Sequence, residues 1–370
     1  MSNLMRKSNA FLNILSLVIC FGLFLFVVLF GRMFKGTYIN ILYYVLGVVL
    51  AVVINSFVHE LGHYLSGKRN GFYLISFSVL FFRWTRINGK MRFSFSFFFE
   101  EAGKTVMVPK DNVNLENGIY KMAKGGINAS FIMLIFGIIP IALTFIFPMH
   151  IPAVAYYITS CFLPIGAYYF FGNAMPIINA GTRNDGAVVS SFKRKDDASR
   201  VMVCLHAIYL QLFKGQTPKE IDEEIYLNMP QLPEDDSLFI NVLTAKYAYY
   251  LDLQNYKEAK TVSDRLIGIM EYIPDSIKPE IKAEALFKAC TYDYNEQEAD
   301  DLMVELEKYL NNRTDAFSMR AKTAYLKNVL KDTETIADFY DKWERECEKQ
   351  PLDGLIKYEK NLLKNFKSNF

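Results

Sequence analysis

The sequence predicts a mainly α-helical membrane protein. A polytopic bundle of about four spans, with an embedded or interfacial β-hairpin, is expected to precede a soluble helical, repeat-like domain. Three observations predict this. The first is an asymmetry: 52% of the 370 residues are hydrophobic, yet the chain is strongly apolar and aromatic up to Val189 and charged beyond Lys193. The second is a set of four apolar runs in the first half, each long enough to cross a bilayer. The third is the recurrence of apolar residues at three- and four-residue steps throughout the second half. The expected divisions are a first transmembrane helix over 1–37, a membrane-embedded core over 38–195 and a cytoplasmic helical domain over 196–370.

The first run, Phe11 to Gly31, follows Arg6 and Lys7. It exceeds the apolar core of a secretory signal and lacks a small-residue cleavage site. At 1.5 Å per residue it covers roughly 30 Å, the thickness of the hydrocarbon layer, so a retained transmembrane helix is expected. The other runs are Tyr38–Ser66, Ile127–Met149 and Ile151–Ile178. Pro140, Pro164, Gly172 and Pro176 interrupt the last two or lie at their edges, which membrane helices tolerate where neighbouring protein satisfies the backbone.

Basic residues set the orientation. Arg6, Lys7, Lys68, Arg69, Lys193, Arg194 and Lys195 fall on one side, whereas Arg32, Lys35 and the Met149–His150 turn fall on the other. Both termini are therefore expected in the cytoplasm. Lys outnumbers Arg, and Phe, Ile and Asn are plentiful, which points to an AT-rich bacterium and its plasma membrane. A net charge of +2 gives no case for a nucleic-acid partner. The five cysteines, Cys20, Cys161, Cys204, Cys290 and Cys347, are odd in number and scattered. That argues against a disulfide framework and against a thiolate zinc site.

Between the second and third runs, "ISFSVLFFRWTRINGKMRFSFSFFF" alternates around Asn88-Gly89, a type I′ hairpin signal. Pairing outward sets Trp84 opposite Phe93, Phe82 opposite Phe95 and Leu80 opposite Phe97 on an apolar face. Thr85, Arg92, Arg83 and Ser94 form a polar one. Packing of a sheet against the bundle accounts for this pattern as well as an interfacial position does.

The chemistry lies at the end of the second run, in "AVVINSFVHELGHYLSGKRNG". Residues i and i+4 share a helix face, so His59 and His63 can offer two imidazole nitrogens to one metal ion. Glu60, on a neighbouring face, is placed as a general base for water. This is the His-Glu-x-x-His pattern of zinc hydrolases. Only four histidines exist in the chain, and two fall in this spacing. Three such groups buried without a partner would be costly. The motif lies about seven residues before Lys68, roughly 10 Å along the helix, so the site is expected just inside the cytoplasmic leaflet. A catalytic zinc keeps three protein ligands. His150 falls on the wrong side, and His206, in "VMVCLHAIYLQLF", reads as a packed helix residue. Glu100, Glu101 and Asp185 remain, although Asn184-Asp185-Gly186 alone is an ordinary turn signal.

These residues resemble the site-2 protease family of intramembrane zinc metalloproteases, over roughly residues 38–189. His59-Glu60-Leu61-Gly62-His63 ends a membrane helix, and an extended region follows. Next, "GGINAS", Gly125 to Ser130, is similar to the family's Gly-Pro-x-x-Asn element and is expected to open the next span. "NAMPIINAGTRNDG" is similar to its Asn-x-x-Pro and Asp-Gly signature. The resemblance implies that His59, His63 and Asp185 hold Zn2+, that Glu60 is the base and that Asn173 helps hold substrate backbone. The implied substrates are membrane-embedded peptides or proteins, such as signal-peptide remnants, peptide precursors or membrane-bound regulators. The chain departs from the pattern at Ile127, where Pro is common, at Ser130, where Asn is common, and in a longer spacer between Pro176 and Asp185. An unwound substrate could add to an edge of the Phe-rich hairpin near Phe95.

In the second half, "NYKEAKTVSDRL", "NEQEADDLMVEL" and "TETIADFYDKWE" recur, with Ala259, Ala299 and Ala337 spaced by 40 and 38 residues. The pattern is similar to tetratricopeptide helix pairs, with an irregular bundle as the simpler alternative. A docking surface for a cytoplasmic protein partner is expected there. The non-enzymatic alternative for the whole chain is a membrane-anchored helical scaffold with a non-catalytic metal site.

Overall fold

The computed structural model describes residues 3–34, 39–87, 89–95, 103–110, 114–147, 150–179 and 182–369, with the backbone alone for 3–9, 39, 179 and 369. The protein is mainly helical. It divides into one compact unit of residues 1–84, 93–179 and 183–199, and a second of 85–92, 180–182 and 200–370.

The first unit contains α1 (Asn3–Gly31), α2 (Ile39–Arg69), α3 (Leu115–Ile146), α4 (Ala153–Thr159), α5 (Phe162–Ala174) and α6 (Asp185–Arg194). Four stretches are long and apolar enough to cross a membrane: Ala10–Phe34, Asn40–Arg69, Leu115–Ile146 and Ala153–Ala174. Large apolar side chains cover their outer surfaces, among them Phe21, Val45 and Phe136. Such surfaces suit hydrocarbon rather than water. Inside, Val27, Ile141, Tyr156, Tyr157 and Leu163 pack together, and the Tyr156 hydroxyl donates to the Val27 carbonyl at 2.9 Å.

Two boundaries differ from expectation. The third apolar helix starts at Leu115 rather than Ile127, because the Asn114 side chain accepts from the Asn117 amide and caps a polar first turn. Gly125 to Ser130 therefore lies within α3, not at its opening. The fourth run is two helices, broken at Ser160–Cys161. Pro164 sits in the first turn of α5, where its missing N–H costs no helical bond.

Glycines fix how α2 meets α3. A Cβ on Gly62 would lie 2.5 Å from the Gly125 carbonyl, and one on Gly125 would lie 2.5 Å from the Gly62 carbonyl. Only residues without a Cβ allow this approach. The contact sets the face of α2 that carries His59 and His63 directly against Gly126.

A four-stranded sheet follows α2: β1 (Phe72–Val79), β2 (Phe82–Ile87), β3 (Lys90–Phe95) and β4 (Gly103–Pro109), in the order β3-β2-β1-β4. The single long arm expected before Gly89 is two strands, because Leu80 turns the chain at φ 52°. Leu80 therefore lies in a turn instead of facing Phe97, which, like Asn88, falls outside the described residues. The remaining aromatic contacts hold: Trp84 and Phe93 centroids are 5.3 Å apart, and Phe82 and Phe95 are 5.8 Å apart. Gly89 has φ 73°, the left-handed conformation a type I′ turn needs. Strand β4 pairs antiparallel with β1, Phe77 opposite Thr105 and Val79 opposite Gly103. Period-two alternation puts Gly103, Thr105 and Met107 on one face. That face lies along α2: a Cβ on Gly67 would meet Met107, and one on Gly103 would meet Glu60.

The second unit contains most of α7 (Asp197–Phe213), then α8 (Glu223–Leu227), α9 (Ser237–Asp252), α10 (Tyr256–Gly268), α11 (Lys278–Cys290), α12 (Glu296–Asn311), α13 (Ala316–Asn328), α14 (Ile336–Cys347) and α15 (Asp353–Asn369). Consecutive helices pack as the pairs α9/α10, α11/α12 and α13/α14. Asn255 and Asn295 cap α10 and α12 in the same way, and Ala259 and Ala299, four residues on, are fully buried. Ala337 does not match them: it is exposed, and Thr335 caps α14 without a side-chain bond. Buried Arg320 donates to Glu359 at 2.8 Å and pairs with Glu284, which neutralises carboxylates in this interior.

Candidate metal centre

His59 and His63 lie one turn apart near the end of α2, and their imidazole Nε2 atoms are 3.1 Å apart. The outward nitrogens are already spoken for. His59 Nδ1 lies 3.1 Å from the Gly126 carbonyl and 2.8 Å from Ser130 Oγ. His63 Nδ1 lies 2.9 Å from the Met122 carbonyl. A carbonyl only accepts, so both Nδ1 atoms carry the proton. In the neutral imidazoles both Nε2 lone pairs therefore face inward. Two lone pairs aimed at each other repel unless a cation lies between them.

Asp185 completes the arrangement. It is the first residue of α6, and Asn184 places it. Asn184 Oδ1 accepts from the Ala187 and Ile177 amides at 2.9 and 3.1 Å, while its Nδ2 donates to the Met175 and Gly172 carbonyls. One side chain thus caps α6 and ties it to the end of α5. Asp185 Oδ2 comes to 3.3 Å from His59 Nε2 and 3.2 Å from His63 Nε2. No hydrogen bond satisfies that buried oxygen.

The two nitrogens and the Asp185 oxygen form a triangle with sides of 3.1, 3.2 and 3.3 Å. Tetrahedral zinc with bonds of about 2.0–2.1 Å requires ligand separations of about 3.3 Å. The donor set therefore fits a tetrahedral divalent ion with one position left over. His59, Glu60 and His63 form an overlapping group, with ligand atoms all within 4.8 Å of one another. Glu60 is 6% exposed, and its Oε2 accepts a 2.6 Å hydrogen bond from Thr105. Thr105 holds that oxygen, and it is not one of the three corners of the triangle.

Gly126 makes the space. A Cβ there would lie 2.3 Å from His63 Nε2 and 2.9 Å from Asp185 Oδ2. The three inward atoms are accommodated because α3 presents a bare backbone at that position.

No protein-family profile, curated protein or solved structure matches the chain.

The other candidates are placed as follows. Glu100 and Glu101 lie outside the described residues. His150 is exposed in the turn before α4, and His206 is turned onto the Met202 carbonyl of its own helix at 2.8 Å. Asn173 donates to the Tyr169 carbonyl one turn back at 2.9 Å. Phe95 is 49% exposed on edge strand β3, stacked against Phe81. Sequence reasoning did not find Thr105, Gly126 or the work of Asn184. Asn-Asp-Gly was read only as a turn signal, although Asn is also a favoured helix N-cap; the alternation of Gly103, Thr105 and Met107 was a findable strand pattern.

Ser130 holds the ring of His59, as outer-shell partners of metal ligands do. Ser130→Ala is expected to weaken zinc binding roughly 10- to 100-fold without changing helix content, as measured by competition with a chromophoric chelator.

Proposed function

We propose that this protein is an intramembrane zinc metalloprotease that hydrolyses peptide bonds of membrane-embedded substrates. The observation that carries the proposal is the triangle of His59, His63 and Asp185 with Glu60 beside it, at the end of a helix apolar enough to span a bilayer. Those three residues would hold Zn2+, which supplies Lewis-acid polarisation of a peptide carbonyl and lowers the pKa of water.

Glu60 would take a proton from the attacking water as oxygen adds to the carbonyl carbon, then give it to the departing nitrogen as the C–N bond breaks. Burial of Glu60 and His59 keeps bulk water from competing for that proton. A helical substrate has its peptide groups bonded internally, so it must unwind locally. The sheet edges, including β3 with Phe95, would hold the unwound segment by strand addition, with Asn173 supplying a further backbone contact after leaving its own helix. The basic residues flanking the spans would put the chain in a plasma membrane as a multi-pass protein with cytoplasmic termini. The helices over 196–370 would be a tetratricopeptide-like docking module for a cytoplasmic partner.

The test is reconstitution of the purified protein in liposomes with fluorescent transmembrane peptides. One zinc per chain is expected, with cleavage that stops on chelation and returns on adding zinc. Zinc-loaded protein that cuts none of the peptides, and whose loss from cells leaves the membrane peptide population unchanged, would overturn the proposal.

A further inference from the structure

We infer that Thr105 of β4 is the positioning residue of Glu60, an inference that rests on the protease proposal for the role of the carboxylate. The Thr105 hydroxyl donates to Glu60 Oε2 at 2.6 Å and lies 3.2 Å from the backbone carbonyl of Glu60 itself. Two residues earlier, Gly103 leaves room for the carboxylate: a Cβ there would stand 2.7 Å from both Glu60 Cγ and Oε1. Gly103 and Thr105 share one face of the strand, so β4 confines Glu60 by a missing side chain at one position and a hydrogen bond at the next. With Oε2 taken, Oε1 is the oxygen left for water.

The Thr105 hydroxyl has one hydrogen to donate, and the 2.6 Å contact directs it to Oε2. Valine, with the same branched shape, has no hydroxyl to hold the carboxylate, whereas serine keeps one.

The experiment uses full-length, metal-free protein and then zinc-loaded protein. In the metal-free state, Thr105→Val is expected to lower the melting temperature by about 2–4 °C, and to have much less effect in a Glu60→Ala background, because the interaction it removes is already gone. Equal shifts in both backgrounds would overturn the inference. In the zinc-loaded state, on a quenched-fluorescent transmembrane peptide, Thr105→Val should lower kcat roughly 10- to 100-fold with KM and zinc affinity unchanged, and Thr105→Ser should restore most of it. If Glu60→Gln leaves cleavage intact, the protease proposal fails, and the metal-free cycle still decides the Thr105 contact. If Glu60→Gln abolishes cleavage while Thr105→Val leaves kcat unchanged, Thr105 is structural only.

Discussion

Glu60→Gln is expected to keep its zinc and lose roughly 10²- to 10⁴-fold in cleavage rate. Glutamine preserves the shape of a side chain packed against Gly103 and bonded to Thr105, so the fold has no steric reason to change. The triangle of His59, His63 and Asp185 does not need the Glu60 carboxylate to close. What is lost is the ability to take a proton. Zinc per chain measured by mass spectrometry, together with rates on reconstituted peptides, separates the two effects. Equal zinc and equal membrane peptide profiles in wild type and variant would favour a metal-binding scaffold.

Gly126→Ala is expected to abolish metal binding, taking zinc from about one per chain to near zero. One methyl group is enough because of where it would stand: 2.3 Å from His63 Nε2, 2.4 Å from its Cε1 and 2.9 Å from Asp185 Oδ2. These are inside van der Waals contact, and the methyl would take the space the inward nitrogen and oxygen share. α3 cannot back away to relieve it, since Gly125 and Gly62 already press backbone to backbone, and packed interiors absorb added methyl groups poorly. Gly172→Ala is the control, because nothing lies within 4 Å of a Cβ there. Normal zinc content in Gly126→Ala would mean that the inward atoms are not the metal ligands.

Much of the site was legible in the sequence because it lies on one helix. The spacing of His59 and His63 decides by itself that they share a face, and the apolar run before them decides that the helix can cross a membrane. Ser130 was visible only as a departure from a family pattern. In the structure its hydroxyl faces His59 Nδ1, 71 positions away in the chain. The start of α3 was missed because the polar turns after Asn114 hide a continuous helix from a hydropathy reading. The strand that reaches Glu60 was missed because "GKTVMVP" is too short and mixed to stand out beside the Phe-rich hairpin.

By itself the sequence determined the apolar spans, the helical second half, and the two histidines and glutamate on adjoining faces of one helix. Local periodicity is enough for each of these. The tertiary structure decided how the Asp185 oxygen, which the resemblance had implied, reaches the two histidines, and it alone decided what holds Glu60 and why α3 carries glycine where it passes the histidines. Asp185, Thr105 and Gly126 come to the motif from other segments of the chain, through helix crossing and strand pairing. Their relation to it depends on distance in space, which spacing along the chain does not encode.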